Sequence, residues 1–195
     1  DRTNPMLYDN RGVHRTYDEL AAEAGDRHRG VLTAERFATS TWMAGLTVAQ
    51  LMSHSAGLSG WDTPLTTEDF YDWDKVTTLL AEQAPWWPPG SAPGYHAITQ
   101  GYLVGEVVRR ITGKSLGTVF REEIAEPLGA DFHIGLPERE FHRVANVIPP
   151  PPLPIDLSQI SPNSPMFKTL TGPKADAAVS STPAWRRAEL PAANG

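Results

Sequence analysis

The stretch Pro88-Pro89-Gly90-Ser91-Ala92-Pro93-Gly94-Tyr95-His96-Ala97 organises the reading of this chain. Its prolines and glycines leave little freedom for a helix, so it reads as a tight loop. A Tyr–His pair stands at its end, and a helical pattern follows from Thr99. Two readings of the pair are open: a chemical group presented on a rigid turn, or an aromatic ring packed against the core.

Outward from the loop, the flanking segments read as helices. Upstream, Thr47 caps a short helix through Met52 that carries Val48, Leu51 and Met52 on one side, with Gly57 as its stop. Thr66 and Thr67 then precede an acidic, aromatic helix running from Glu68 through Val76, Leu79 and Leu80. Downstream, Thr99–Thr112 repeats Tyr102, Leu103, Val107 and Ile111 at helical spacing, and Gly113 ends it. Gly101 and Gly105 put small residues on one face of that helix. Ser115–Ile124 reads as an amphipathic helix with Leu116, Val119, Phe120 and Ile124 inward, closed by Pro127-Leu128-Gly129. Residues 131–135 suggest a short strand. Residues 1–45 hold a short helix capped by Thr16, with Glu19 at capping-box spacing, that ends near Gly25, a weak second pattern at 33–38, and no chemical constellation. Prolines 149–152 and the aperiodic run 149–184 read as an extended excursion over the surface.

Composition narrows the function classes. The chain has 195 residues, enough for one domain or part of a larger one, with 40% hydrophobic and 21% charged residues. The net charge is −6 and the basic residues form no stripe, which argues against nucleic-acid binding. No apolar run approaches the roughly 20 residues that span a bilayer. Cysteine is absent, which removes disulfides and thiolate chemistry. A soluble chain is expected, with the compartment tilted to the cytoplasm but not fixed. No histidine spacing matches a metal motif, and Asp69, Asp72 and Asp74 lack the glycine and distant Glu of a calcium loop. Neither a metal nor another cofactor is expected.

Two nucleophile patterns fail on context. Gly113-Lys114-Ser115-Leu116-Gly117 fits G-x-S-x-G, but that elbow needs a strand before the serine, and a helix precedes it here. Ser115 stands where a helix cap belongs. His54 lies between Ser53 and Ser55, but chain neighbours point apart, so bracing a helix end suits it better. Tyr95 remains. A phenol, with a free pKa of about 10, serves as a base only where cations stabilise its phenolate.

Leu46-Thr47-Val48-Ala49-Gln50-Leu51-Met52-Ser53-His54-Ser55-Ala56-Gly57-Leu58 resembles the T-V-R-x-L-L-S/T-H-x-S/A-G-L segment of the serine β-lactamase-related superfamily. The loop from Trp87 to Ala97 resembles its P-G-x-x-x-x-Y loop. Gly101–Thr112, Gly113-Lys114-Ser115-Leu116 and Ile124-Ala125-Glu126-Pro127-Leu128-Gly129 resemble the continuation, in the same order. The run Trp185–Gly195 is similar to a segment of the esterase branch. The resemblance covers residues 46–195 and leaves 1–45 unassigned. It implies an α/β (α+β) β-lactamase/transpeptidase-like fold, of which this chain is mainly the helical portion. The antiparallel sheet would be absent or incomplete, so exposed helix faces could drive self-association.

The resemblance also implies chemistry: a serine nucleophile in S-x-x-K, a tyrosine that relays protons, and a late K-T-G-type strand at the oxyanion hole. Only the tyrosine carries over. Tyr95 would be catalytic, with His96 and Ala97 beside the substrate. Ala97 replaces the asparagine of the lactamase Tyr-x-Asn, which favours an esterase. No lysine here has serine three residues before it, and upstream of the Ser-His segment Ser40-Thr41-Trp42-Met43 offers no lysine. Lys168-Thr169-Leu170-Thr171-Gly172 is in the wrong place for the late motif. Two functions are therefore expected in competition. One is ester or amide hydrolysis through a seryl acyl-enzyme in the complete protein. The other is a truncated or degenerate homologue that only binds a ligand or partner.

Overall fold

The structure, a computed structural model, describes residues 46–148, 156–172 and 177–190. The helical patterns at 16–25 and 33–38 and the prolines 149–152 lie outside them. The α-helices are α1 (Val48–Met52), α2 (Trp73–Glu82), α3 (Thr99–Thr112), α4 (Leu116–Phe120), α5 (Glu126–Leu128), α6 (Pro165–Thr171) and α7 (Pro183–Arg187). Among the described residues no strand element forms, so this is the helical portion of its fold.

The centre is α3, against which α1, α2 and α4 pack. Its N-terminal half turns Tyr102 and Leu103 into a core shared with Leu51, Leu58, Trp61, Phe70, Val76 and Leu80. Tyr102 is completely buried, and its hydroxyl donates to the Phe70 carbonyl at 2.7 Å. Trp61 meets the same ring edge-on at 5.8 Å and donates its indole N–H to the Val76 carbonyl. A buried aromatic needs such partners for its polar end. Trp73 lies against the bare backbone of Gly105 and donates to Glu106 at 2.8 Å. Gly113 ends α3 in the left-handed region.

Glu106 is the one buried carboxylate of this core. Arg109 approaches it at 2.7 Å and Arg110 at 2.6 Å. Burial pushes its pKa up, but the hydrogen bonds from Arg109, Trp73 and Arg110 outweigh this and hold it below the usual carboxylate range.

Several sequence expectations are corrected. α1 ends at Ser53, before Gly57, and Met52 faces outward at 58% exposure. With only five residues, α1 presents a narrow face, and Leu51 alone fills it. The acidic helix is two elements: a 3₁₀ turn at Glu68–Tyr71, then α2, which Asp72 caps through the Lys75 N–H. Thr67 makes no side-chain cap.

After α4 the helix passes through a π turn, Arg121–Ala125, into α5. The extra residue per turn rotates the face, and Ile124 emerges 45% exposed. Residues 131–135 form no strand, and among the described residues no strand stands beside them to pair with. The aperiodic run contains α6 and, at its end, the start of α7. Each follows a polar cap, Ser164 or Thr182, and begins on a proline at its first position.

Candidate functional site

α1 delivers the chain into Ser53–Leu58, and the loop 86–97 is laced onto that segment. Trp86 N–H donates to the Gly57 carbonyl at 2.8 Å, Gly90 N–H to Ser55 at 2.9 Å, and Gly94 N–H to His54 at 2.9 Å. The lacing demands glycine where the strands of chain touch. Gly57 has φ +80, and a Cβ there would stand 2.6 Å from the Trp87 carbonyl oxygen. At Gly94 a Cβ would stand 2.4 Å from the Trp87 indole. That indole closes the loop by donating to the Ala92 carbonyl at 2.8 Å.

The three expected site residues part ways. Tyr95 points outward, 63% exposed. Ala97 is also exposed. Both border a groove of about 570 Å³. His96 does not face that groove. Its side chain is completely buried, with Nε2 accepting from the Leu58 N–H at 3.1 Å. Because an amide N–H can only donate, the ring proton sits on Nδ1, which donates to the Gly94 carbonyl. Burial pulls the pKa of His96 down to about 4, so the ring is neutral. His96, expected beside the substrate, lies inside as a brace that ties the loop to Leu58 and is not part of the described groove lining. Thr99 adds a second tie, donating to the Leu58 carbonyl.

The far wall of the groove comes from α6, through Pro165, Met166, Thr169 and Leu170. Nothing in the sequence joined α6 to the Tyr95 loop. The available signal was the Ser164-Pro165 start followed by Phe167 and Leu170 at helical spacing. α6 is pinned to the core side: Ser59 and Thr169 share a hydrogen bond of 2.6 Å, and Lys168 pairs with Asp62 at 2.7 Å. The Lys168 ammonium also lies over the Trp86 ring. Among the described residues bordering the groove none is charged, and Trp87, Pro93, Met166 and Leu170 make that lining predominantly apolar. Such a groove can seat an uncharged organic group beside an accessible phenol.

Ser115 is no elbow. α3 precedes it, and its hydroxyl caps α4 by accepting from the Thr118 N–H at 3.2 Å. It also donates to Glu189 at 2.9 Å, while the other Glu189 oxygen accepts from the Gly117 N–H. Among the described residues no group of histidine and carboxylate side chains could hold a metal. No helix among them is long and apolar enough to cross a membrane.

Comparison with known proteins agrees with this geometry. The family model described as Beta-lactamase matches residues 30–185. The esterase/β-lactamase LipL of Mycobacterium tuberculosis is 37% identical over 161 residues, covering 78% of this chain and 37% of that protein. A family VIII carboxylesterase superposes with a TM-score of 0.70 at 36% identity, over 91% of this chain and 49% of that one. A penicillin-binding protein homologue from Caulobacter crescentus gives 0.67 at 37% identity, over 90% and 46% of the two chains. EstA of Arthrobacter nitroguajacolicus Rue61a gives 0.64 at 30% identity, over 93% and 50%. The chain spans half or less of the length of each of these relatives. It carries the helical portion of a β-lactamase/transpeptidase-like fold, with the Ser-His segment, tyrosine loop and Pro-Leu-Gly turn in family order: the chain belongs to the β-lactamase family.

Proposed function

We propose that the complete polypeptide hydrolyses uncharged carboxylic esters through a seryl acyl-enzyme, with Tyr95 relaying the proton between nucleophile and leaving group. The observation that carries this is the exposed phenol of Tyr95 on the border of a groove whose described lining carries no charge. An ester needs an apolar seat for its acyl or alcohol part and a proton donor at the leaving oxygen. Tyr95 and the groove are suited to supply both. Ala97 supports an ester over a β-lactam, since the position offers a methyl where a lactamase tyrosine motif offers an amide.

The acyl-transfer step divides into two. The nucleophile's proton passes to the base as its oxygen attacks the ester carbonyl, and the leaving alkoxide takes a proton as it departs. Water then repeats the sequence on the acyl-enzyme. A phenol between serine and leaving group can pass that proton in both directions. The serine and lysine would come from outside the described residues.

A second reading rests on one sequence fact: no S-x-x-K occurs in these 195 residues. On that reading the groove binds an apolar ligand without turning it over. Hydrolysis of a short p-nitrophenyl ester separates the two. The enzyme reading expects turnover above buffer that Tyr95→Phe lowers by about 10²- to 10⁴-fold, the usual worth of positioned proton transfer. A folded protein without turnover rejects it for this chain.

A further inference from the structure

We propose that His54 is a positioning residue that clamps Tyr95 from both sides, an inference that rests on the proposed role of Tyr95. The carbonyl oxygen of His54 accepts the N–H of Gly94, the residue before Tyr95, at 2.9 Å. Its ring Nδ1 accepts the N–H of His96, the residue after, at 3.1 Å. Its ring also lies against the tyrosine, with centroids 4.9 Å apart and the planes tilted by 48°. One residue thus accepts the N–H groups of the two residues on either side of Tyr95 and supports its ring.

The backbone of His54 shows what this arrangement requires. Among the described residues it is the one non-glycine with positive φ, at +58. A side chain held in the left-handed region persists only where its surroundings fix it, and such strain concentrates at functional sites. In that conformation the carbonyl and the ring reach the loop together. His, Asn and Asp tolerate the region better than other side chains, and His and Asn also carry a neutral acceptor.

The two ring acceptors of the pair define the tautomers. His54 Nδ1 receives an amide proton, so it is unprotonated. His96 Nε2 receives the Leu58 amide proton, so it is unprotonated too. The two imidazoles stand 5.6 Å apart, and together the two residues carry the loop: His96 through Leu58, His54 through the N–H groups of Gly94 and His96. The Ser-His-Ser context that suggested a base beside a nucleophile is thereby accounted for by an acceptor for the loop.

The test uses the chain with His54→Gly, His54→Asn and Tyr95→Phe. Glycine keeps the φ and the carbonyl but removes the ring acceptor. Asparagine keeps the φ and restores an acceptor. Amide exchange followed by NMR is expected to speed up about ten-fold at His96 in His54→Gly, the scale of one lost hydrogen bond, and to recover in His54→Asn. Gly94, bonded to the backbone, is expected to change less than about two-fold.

In the ester-hydrolysing polypeptide, His54→Gly is expected to lower kcat while KM stays within about two-fold, with His54→Asn restoring it. Unchanged exchange at His96 in His54→Gly overturns the clamp, as does failure of asparagine to restore protection. If Tyr95→Phe leaves kcat intact, the role of Tyr95 falls while the exchange result still judges the clamp. If Tyr95→Phe lowers kcat and His54→Gly does not, the clamp's functional part falls alone.

Discussion

The two halves of the described chain are built differently. From Leu46 to Gly113 the structure is a core with a loop laced onto it, where the large side chains Leu58, Val76, Leu80, His96, Thr99 and Tyr102 are almost fully buried. From Ser115 onward, α5, α6 and α7 bury no residue completely. Leu128 is 75% exposed there, and Ile124, Phe132 and Met166 are exposed as well. The first half is fixed by close packing and by hydrogen bonds between distant segments. The second is held by capped short helices, by surface ion pairs such as Arg143–Asp131 and by side-chain ties such as Ser59–Thr169 and Ser115–Glu189. The difference teaches where the site gets its rigidity. Tyr95 sits on the firm half, and the α6 wall that faces it belongs to the looser one.

Breaking the comparison starts with the buried carboxylate. Glu106→Ala takes the buried carboxylate away from Arg109, which keeps Asp74, and from Arg110, and it removes the acceptor of the Trp73 N–H. The expected loss is about 3–5 kcal/mol in denaturant unfolding, the range for breaking a buried ion pair. Lys114→Ala, which removes an exposed pair with Glu122, is expected to leave the unfolding midpoint essentially unchanged.

Two glycines make the sharper contrast, because both have positive φ. Gly57→Ala drives a Cβ into the Trp87 carbonyl, so it adds a backbone clash to the strain. A cost of about 3 kcal/mol or more is expected. At Gly129, φ is +62 and no atom lies within 4 Å of an added Cβ. There Gly→Ala should cost about 1 kcal/mol, the conformational part alone. Equal losses would erase the distinction between the two halves.

The next effect is a titration. His96 has a folded pKa of about 4 against an unfolded value near 6.5. Between those values the unfolded chain binds more protons, so stability rises with pH. Its contribution is therefore complete above about pH 6.5 and is lost as pH falls toward 4, up to about 3 kcal/mol in all. Glu106 acts in the same direction at lower pH, since its folded pKa is depressed. Urea unfolding between pH 4 and 7 checks it, and His96→Gln should flatten the slope. The smallest effect belongs to the loose half: Leu128→Ser is expected to shift stability by less than about 0.5 kcal/mol.

Legibility in the sequence followed the same division. α3 could be bounded at both ends, because its apolar spacing runs for several turns and Gly113 stops it. Thr47 and Ser115 announced their helices by cap chemistry. Where elements are short, periodicity carries too little signal: Met52 and Ile124 were expected inside and lie outside, and α6 was hidden in an aperiodic run. The π turn cannot be seen in a pattern built on α-helical spacing. At the site, the order of the Ser-His segment and the tyrosine loop made Tyr95 visible as a candidate. The inward turn of His96 and the left-handed His54 depend on which peptide meets which ring, and spacing along the chain does not encode that.

On the proposed function Tyr95 is a working phenol on a rigid mount. The most direct test compares p-nitrophenyl ester hydrolysis by the complete polypeptide with and without Tyr95→Phe, alongside thermal unfolding. With Tyr95 63% exposed, the account expects the melting temperature to hold while kcat falls by about 10²-fold or more. Unchanged kcat in a folded Tyr95→Phe protein would contradict it.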